Sequence, residues 1–185
     1  MEQADILALP GAKWEAKYLE DSSLRHVTLE HYDREQVSLH RYLSFLGVDR
    51  ETSREIVQES FLKLHEHLLA GGDRRNLRAW LYRVAHNLAR NAQIAFSRSR
   101  TDSLPDLTVA DPPAKAPSAE EELLSEERMT RFRQAMAQLS VAQKDCLVLR
   151  AQGFKYREIA EVLSLSVSTV GENVQRGLER LKELI

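Results

Sequence analysis

Near the C-terminus, short polar side chains lie opposite a helical repeat of apolar residues. The apolar positions recur at steps of three or four, which predicts an amphipathic helix; they are Val167, Val170, Val174, Leu178, Leu181 and Ile185. Hydroxyl, carboxylate, amide and guanidinium groups on the opposite face could hydrogen-bond the phosphates and base edges of DNA. The predicted DNA contacts on and just before this helix are Ser166, Ser168, Thr169, Glu172, Asn173, Gln175 and Arg176.

A shorter helix and a tight turn precede this one and would set its position. Ile159, Ala160 and Leu163 form a short apolar face of helical spacing, and residues 164–166 interrupt it. Ser166 is placed to cap the second helix, since its hydroxyl can accept a bond from a free backbone N–H of the first turn. The pattern predicts a helix-turn-helix, whose second helix enters the major groove. The alternative is an ordinary pair of packed helices in a small bundle.

A second candidate site lies between Asp73 and Arg100, where Asp73 is the only acidic residue. The spacing predicts a helix from Leu77 to about Phe96. Arginines interleaved with aromatic residues, here Trp80 and Tyr82, are typical of a groove that follows a nucleic-acid backbone and stacks unpaired bases. The alternative is a solvated, arginine-rich helix face. The predicted contacts are Arg74, Arg75, Asn76, Trp80, Arg83, His86, Asn87 and Arg90.

Two further helices are predicted before the basic one, from about Ser23 to Leu46 and from Thr52 to about Ala70. We expect residues 1–22 to form a loosely held N-terminal extension and residues 23–100 to form one helical domain. The second of these helices divides into two faces. Its inward residues are predicted to be Ile56, Val57, Phe61, Leu64 and Leu68, and its outward residues Glu55, Gln58, Glu59 and Lys63.

The chain changes character at residues 101–119, which contain four of its five prolines and show no periodicity. This composition predicts a flexible, acidic linker. A second domain follows over residues 120–185, with a helix to Gln138, a capping box from Ser140 to Gln143 and the helix-turn-helix. The predicted fold class is therefore all-α, with two small helical domains joined by a Pro-rich linker.

Composition excludes several classes of protein. The chain has 185 residues, a net charge of −2 and 43% hydrophobic residues, which suits a soluble folded protein. Its single cysteine, Cys146, excludes an internal disulfide and fits the reducing cytoplasm. No apolar run reaches the roughly 18 residues of a membrane span, and the N-terminus lacks the features of a signal peptide. Without metal-ligand spacing, a phosphate loop or a nucleophile–base pair, we predict no catalytic residue, metal or cofactor, and no enzyme.

Three segments together resemble the extracytoplasmic-function group of bacterial RNA polymerase sigma factors. They are IVQESFLKLHEHL (56–68), LRAWLYRVAHNLARN (77–91) and the stretch 139–183, which includes the helix-turn-helix. In order and separation they correspond to the family's region 2.2, regions 2.3–2.4 and region 4. The resemblance covers about residues 23–100 and 120–185.

The resemblance implies a protein that binds core RNA polymerase and directs promoter recognition, strand opening and initiation. Its basic helix and the loop before it would open and read the minus-10 element, and its helix from Val167 would read the minus-35 element. The implied partners are the β′ clamp helices and β flap of the polymerase, promoter DNA and, in some members, an anti-sigma factor. The positions matching the contact with the β′ clamp helices are Glu55, Gln58, Glu59 and Phe61.

The sequence also departs from the family's pattern. Gly171, Glu172 and Asn173 stand where the family often has Lys-Ser-Arg, so two positive charges are missing. Glu172 could accept from a cytosine amino group and Asn173 could pair with adenine. Two alternatives therefore stay open: a helix-turn-helix regulator of duplex DNA that is not a sigma subunit, and a polymerase-binding protein that has lost DNA binding.

Overall fold

The computed structural model describes residues 10–99 and 129–184 of the chain, and the regular structure within them is helical. This confirms the all-α prediction; the predicted linker, 101–119, lies outside the described residues. The helices are α1 (Pro10–Phe45), α2 (Arg50–Leu69), α3 (Leu77–Ser99), α4 (described over residues 129–137), α5 (Val141–Ala151), α6 (Tyr156–Leu163) and α7 (Val167–Leu184). None of the described helices is long and apolar enough to cross a membrane.

Helices α1, α2 and α3 pack into a first unit. Helix α2 begins where Asp49 Oδ1 accepts the backbone N–H groups of Glu51 and Thr52, each at 3.0 Å, which satisfies donors that the first turn leaves free. The five residues of α2 that were predicted to face inward are all buried. They pack toward the fully buried Leu39 and Leu43 of α1.

Helix α1 differs from the prediction at its N-terminal end. Within the described residues it extends from Pro10, whereas the periodicity predicted a start near Ser23. After Gly11 no glycine or proline follows until Gly47, whose positive φ of 82° accompanies the end of the helix.

Helices α4 to α7 form a second unit. Ser140 and Gln143 form the predicted capping box at the start of α5. The predicted turn between α6 and α7 is also present: Ser164 takes a left-handed conformation with φ 55°, and Ser166 Oγ accepts the Thr169 N–H at 3.1 Å. The helix-turn-helix therefore forms as the sequence predicted.

The buried face of α7 includes only part of the predicted apolar stripe. Val170 and Val174 are buried, but the exposed fractions of Val167 and Leu178 are 45% and 47%. Gly177 is buried instead, and a Cβ there would lie 2.7 Å from Leu147 Cδ1. Helix α5 thus approaches α7 so closely at Gly177 that Leu178 lies to one side of the contact. The last predicted position, Ile185, lies outside the described residues.

The two units are in contact with each other. Helix α6 packs along α3, and the start of α5 approaches α1. As a consequence α3 is covered on two sides, by the other helices of its own unit and by the second unit.

Candidate nucleic-acid and partner interfaces

The outward face of α2 combines acidic and apolar side chains. Glu55 and Gln58 are exposed, and Glu59 is half-buried, with its carboxylate 3.0 Å from Lys63 Nζ. Since the Glu59–Lys63 pair is solvent-accessible, it contributes little to stability. The face is therefore free to serve another purpose.

Two leucines that the sequence reasoning missed belong to this face. Leu62 and Leu69 have exposed fractions of 53% and 52%. Together with Glu55, Glu59 and Glu66 they follow steps of four, three, four and three residues, which place them on one side of a helix. The signal in the sequence is this alternation of leucines and glutamates at helical spacing, on the side of α2 opposite the predicted inward residues.

Phe61, which the resemblance assigned to the same contact, is buried. Its ring makes an edge contact with Tyr32 of α1 at a centroid distance of 5.0 Å. Its side chain supports the α2 face from inside and is not presented at the surface, so this part of the predicted contact set is corrected.

An open cleft of about 320 Å³ lies where the end of α2 meets the start of α3. Trp80 stacks on His67 at a centroid distance of 4.6 Å and an interplanar angle of 25°. An aromatic wall next to a guanidinium and an amide suits an unstacked base. The lining residues are His67, Asp73, Asn76, Ala79, Trp80, Arg83 and Glu161.

The loop before α3 has its own charge pairing. The Arg75 guanidinium donates to Asp73 Oδ2 at 2.8 Å, and the Arg75 backbone N–H donates to Asp73 Oδ1 at 3.0 Å. These bonds lower the pKa of Asp73 to about 2. Arg74 is exposed beside them. Asn76 precedes the first turn of α3, where its backbone carbonyl accepts the Trp80 N–H.

Further along α3, the predicted nucleic-acid face is only partly present. Arg83 and Asn87 are exposed. His86 is buried, with its Nδ1 2.7 Å from the Tyr42 hydroxyl, and its pKa falls to about 4 because of burial and, secondly, of Arg90. Tyr82, predicted to lie among the surface arginines, is also fully buried. The expected exposure of His86 and Tyr82 is therefore corrected: Tyr42 of α1 packs on both side chains, and Phe154 of the second unit packs on Tyr82 as well.

Two arginines of α3 are engaged by the second unit. Arg90 donates to Asp145 Oδ2 at 2.7 Å. Arg78 donates to Gln152 O at 2.9 Å and to Glu35 Oε2 of α1 at 3.0 Å. Of the predicted basic contacts on α3, Arg83 is exposed and Arg90 is held in this ion pair.

The polar face of α7 is largely exposed. Ser166 Oγ lies 2.8 Å from Ser168 Oγ and 2.7 Å from Thr169 Oγ1, forming a hydroxyl cluster at the N-terminus of the helix. Asn173 Nδ2 donates to the Thr169 backbone carbonyl at 2.9 Å, so one of its two amide hydrogens is engaged. The structure brings these predicted contacts together on one surface.

The charged and amide groups of the same face are paired along the helix. Arg176 Nη2 lies 3.4 Å from Glu172 Oε2, and Gln175 Nε2 donates to Glu179 Oε1 at 3.0 Å. All four side chains are exposed, so these contacts are weak and can be exchanged for contacts with a ligand.

The described residues include neither a reactive thiol nor a metal site. Cys146 is fully buried, and burial raises the pKa of its thiol to about 11. Among the described residues, no group of three or more His, Cys, Asp or Glu side chains is arranged to hold a metal ion.

Comparison with known proteins gives consistent similarities over both units. The model of sigma-70 region 2 matches residues 31–98, and that of sigma-70 region 4 matches residues 129–181. The chain is 30% identical over 157 residues to RNA polymerase sigma factor SigZ of Bacillus subtilis, covering 83% of this chain and 84% of that one. It is 28% identical over 149 residues to ECF RNA polymerase sigma factor EcfG of Rhodopseudomonas palustris, covering 80% and 79%.

Among solved structures, the fold is similar to that of CnrH in its complex with the cytosolic domain of CnrY. The TM-score is 0.63 at 22% sequence identity, covering 90% of this chain and 92% of that chain.

Proposed function

We propose that this chain, which belongs to the extracytoplasmic-function group of the sigma-70 family, divides promoter recognition between its two helical units. As an RNA polymerase sigma factor it binds core polymerase and directs promoter recognition, strand opening and transcription initiation. What we propose is which surfaces and side chains of this chain bind the polymerase and which contact the promoter. The observation that carries it is the aromatic cleft at the start of α3, which has the shape and chemistry for an unstacked base.

In this proposal the α2 face docks on the β′ clamp helices of the polymerase. The alternation of carboxylates with Leu62 and Leu69 supports it, since an interface core is apolar and its rim is charged. Glu55, Gln58 and Glu59 would form the polar part of the contact. A complementary partner surface would be basic and apolar. Phe61 would act by holding Tyr32 and the α2 backbone in place.

The cleft and the exposed part of α3 would hold the opened minus-10 element. Trp80, backed by His67, would stack a base of the non-template strand, and a base flipped out of a duplex needs such a platform. Arg83, Asn87 and the loop residues Arg74 and Asn76 would contact the backbone or base edges. Arg75 and Arg90 could join them only after giving up their carboxylate partners.

Helix α7 would read the minus-35 element as duplex. The hydroxyl cluster of Ser166, Ser168 and Thr169 lies at the helix N-terminus, where backbone N–H groups and side chains favour phosphate. Glu172 and Asn173, one turn further on, would meet base edges. Arg176 and Gln175 would contact the backbone at the rim of the groove.

The remaining assignments rest on the family. We propose that residues 101–119 connect the units through the polymerase channel toward the RNA exit, and that the second unit also contacts the β flap. CnrH, of similar fold, was solved with the cytosolic domain of CnrY, and we propose an anti-sigma factor as a partner here too. We further propose a cytoplasmic location and no catalytic activity of the chain's own. A helix-turn-helix regulator without polymerase is not favoured, because the model of sigma-70 region 2 matches residues 31–98.

One experiment separates the two surfaces of the first unit. Run-off transcription with core polymerase on a genomic library first supplies a responding promoter. On that promoter, Arg83→Ala should keep core binding and lose permanganate reactivity of the opened thymines at least about tenfold, since it removes a charge from the melting face. Glu59→Lys should do the opposite, weakening retention on core polymerase by charge reversal.

Arg41→Ala, on an exposed position of α1, is the control for loss of a surface arginine. Undiminished thymine reactivity in Arg83→Ala would remove α3 from the proposed melting surface. Equal retention of Glu59→Lys on core polymerase would remove the α2 face from the polymerase contact.

A further inference from the structure

One wall of the cleft comes from outside α3. His67 lies near the end of α2, and its imidazole ring stacks on Trp80 at a centroid distance of 4.6 Å and an interplanar angle of 25°. Trp80 is half-buried and packs partly on the core. Within residues 10–99 and 129–184, His67 is the one ring that contacts Trp80. The orientation of the indole therefore depends on a side chain of the neighbouring helix.

The loop that follows α2 holds the His67 ring in place. His67 Nε2 donates to the Asp73 backbone carbonyl at 3.1 Å, since a carbonyl oxygen can only accept. The Gly72 N–H donates to the His67 backbone carbonyl at 2.8 Å. Two hydrogen bonds thus join His67 to the loop, one through its ring and one through its backbone.

Gly72 leaves the space that this ring occupies. A Cβ added at position 72 would overlap His67 Cε1 and both nitrogens of the imidazole, so any side chain there would displace the ring. Gly72, unlike Gly71, does not adopt a positive φ. Space for the imidazole, and not backbone conformation, therefore calls for glycine at position 72.

A stacking platform binds best when its plane is fixed before the base arrives. A side chain that becomes ordered on binding loses conformational entropy, and neighbours that already hold it remove that loss. His67 supplies such a neighbour for Trp80, because its ring lies nearly parallel to the indole. Without the imidazole, the indole could turn into the space that the imidazole had filled.

We propose that His67 is a positioning residue for strand opening, whose imidazole, seated on Gly72 and bound to Asp73, holds the Trp80 indole in the plane that accepts an unstacked base. The inference rests on the proposed minus-10 role of the cleft and adds the residue that orients its platform. His67 acts through Trp80. This contribution of α2 to opening is separate from the contact that its outer face makes with the polymerase.

A purely structural role of His67 leads to a different expectation. If His67 served as a hydrogen-bond donor that fixes the loop, glutamine could replace it, because an amide nitrogen can also donate to the Asp73 carbonyl. If its ring supports the indole, phenylalanine could replace it and glutamine could not. His67→Phe and His67→Gln therefore separate the two roles.

The main test uses holoenzyme, assembled from core polymerase and the full chain, on the responding promoter. Permanganate reactivity of the opened thymines should fall about fivefold in His67→Ala and His67→Gln, the lower end of the range for loss of a base–aromatic stack, and should stay within about twofold in His67→Phe. Retention on core polymerase should be unchanged in all three. His26→Ala, on an exposed position of α1, is the control for loss of a histidine.

Gly72→Ala displaces the ring without deleting it. Because the added Cβ overlaps the imidazole, we expect thymine reactivity to fall about as far as in His67→Ala. In the His67→Ala background the same substitution should have no further effect, since no ring is left to displace. A further loss in the double variant would show that Gly72 acts on the loop by itself, and its part in the proposal would fail.

A second measurement follows the indole without polymerase or DNA. Trp14→Phe leaves Trp80 as the single tryptophan of the chain, and the decay of its fluorescence anisotropy reports local rotation of the indole. We expect a larger fast component in His67→Ala and His67→Gln than in His67→Phe and the parent. Equal decays in all four would overturn the positioning of Trp80 by His67.

Trp80→Ala tests the proposed function separately. If it opens the promoter as well as the unmodified chain does, the cleft is not the minus-10 platform, while the anisotropy result stands. If Trp80→Ala loses opening but His67→Ala does not, or if glutamine restores opening as well as phenylalanine, the platform stands and the positioning role is overturned. Circular dichroism identifies the folded variants. Should His67→Ala be unfolded, His67→Gln and His67→Phe carry the test.

Discussion

Helices α3 and α7, the two that we propose to contact DNA, differ in how much of their surface the rest of the chain covers. Helix α7 packs on α5 and α6 along one side and leaves its polar face exposed. Helix α3 packs on α1 and α2 with one side and on α6 with another. Helix α7, covered once, keeps its whole polar face free for a ligand, whereas α3, covered twice, keeps only part of its polar surface free, including Arg83 and Asn87.

The largest effect expected from this difference is on stability. Phe154→Ala should lower the free energy of unfolding by about 3–5 kcal/mol, because a fully buried ring between the units leaves a cavity. Leu178→Ala, on the exposed edge of α7, should cost less than about 1 kcal/mol. Urea denaturation of both variants measures the contrast. If both variants lose a similar, small amount of the free energy of unfolding, the packing of the second unit on α3 contributes nothing to stability.

A smaller effect is expected from the buried histidine of α3. The pKa of His86 is about 4 in the folded chain and ordinarily near 6.5, so its contribution is fully present above about pH 6.5 and is lost as the pH falls toward 4. Between pH 7 and pH 5 this amounts to about 2 kcal/mol. His86→Gln should reduce the decline in stability over this range by that amount.

His26→Gln is the matched control, because His26 is exposed on α1. Stability is measured by urea denaturation at both pH values. Tyr42, Arg90 and Asp145 are the polar groups around this side of α3 and are unchanged in both variants. An identical pH dependence in His86→Gln and the unmodified chain would show that His86 is solvated, and that the contact between α3 and Tyr42 of α1 does not bury it.

The smallest effects are expected on α7, where the face is already free. Glu172→Ala should relax specificity at one base pair of the minus-35 element by about 1–3 kcal/mol. Arg176→Ala should weaken binding to all promoter variants alike and reduce the dependence of that binding on salt concentration. The measurement is binding to a set of single-base promoter variants at two salt concentrations, with Glu179→Ala as the control. If Glu172→Ala shifts every variant equally, it makes no base contact.

Apolar spacing predicted the helices best where only one side of the helix is buried. On α2 the spacing identified every inward residue correctly, and on α6 and α7 it located the turn and its cap, because each pattern records a single buried side. It missed Leu62 and Leu69, whose exposure conflicts with their apolar character. On α7 it also missed that Gly177, without a side chain, would take a core position from Leu178.

The sequence by itself determined the helices, the helix-turn-helix, the capping of α5 and α7 and the family, because these depend on residues close together in the chain or on motifs in a fixed order. Only the tertiary structure decided that His86 and Tyr82 are buried and that Arg78 and Arg90 are engaged. Their partners, such as Gln152 and Asp145, come from a helix distant in sequence. Helical periodicity records that a residue has an apolar neighbour one turn away, and it carries no information about a second element that packs across the helix from elsewhere in the chain.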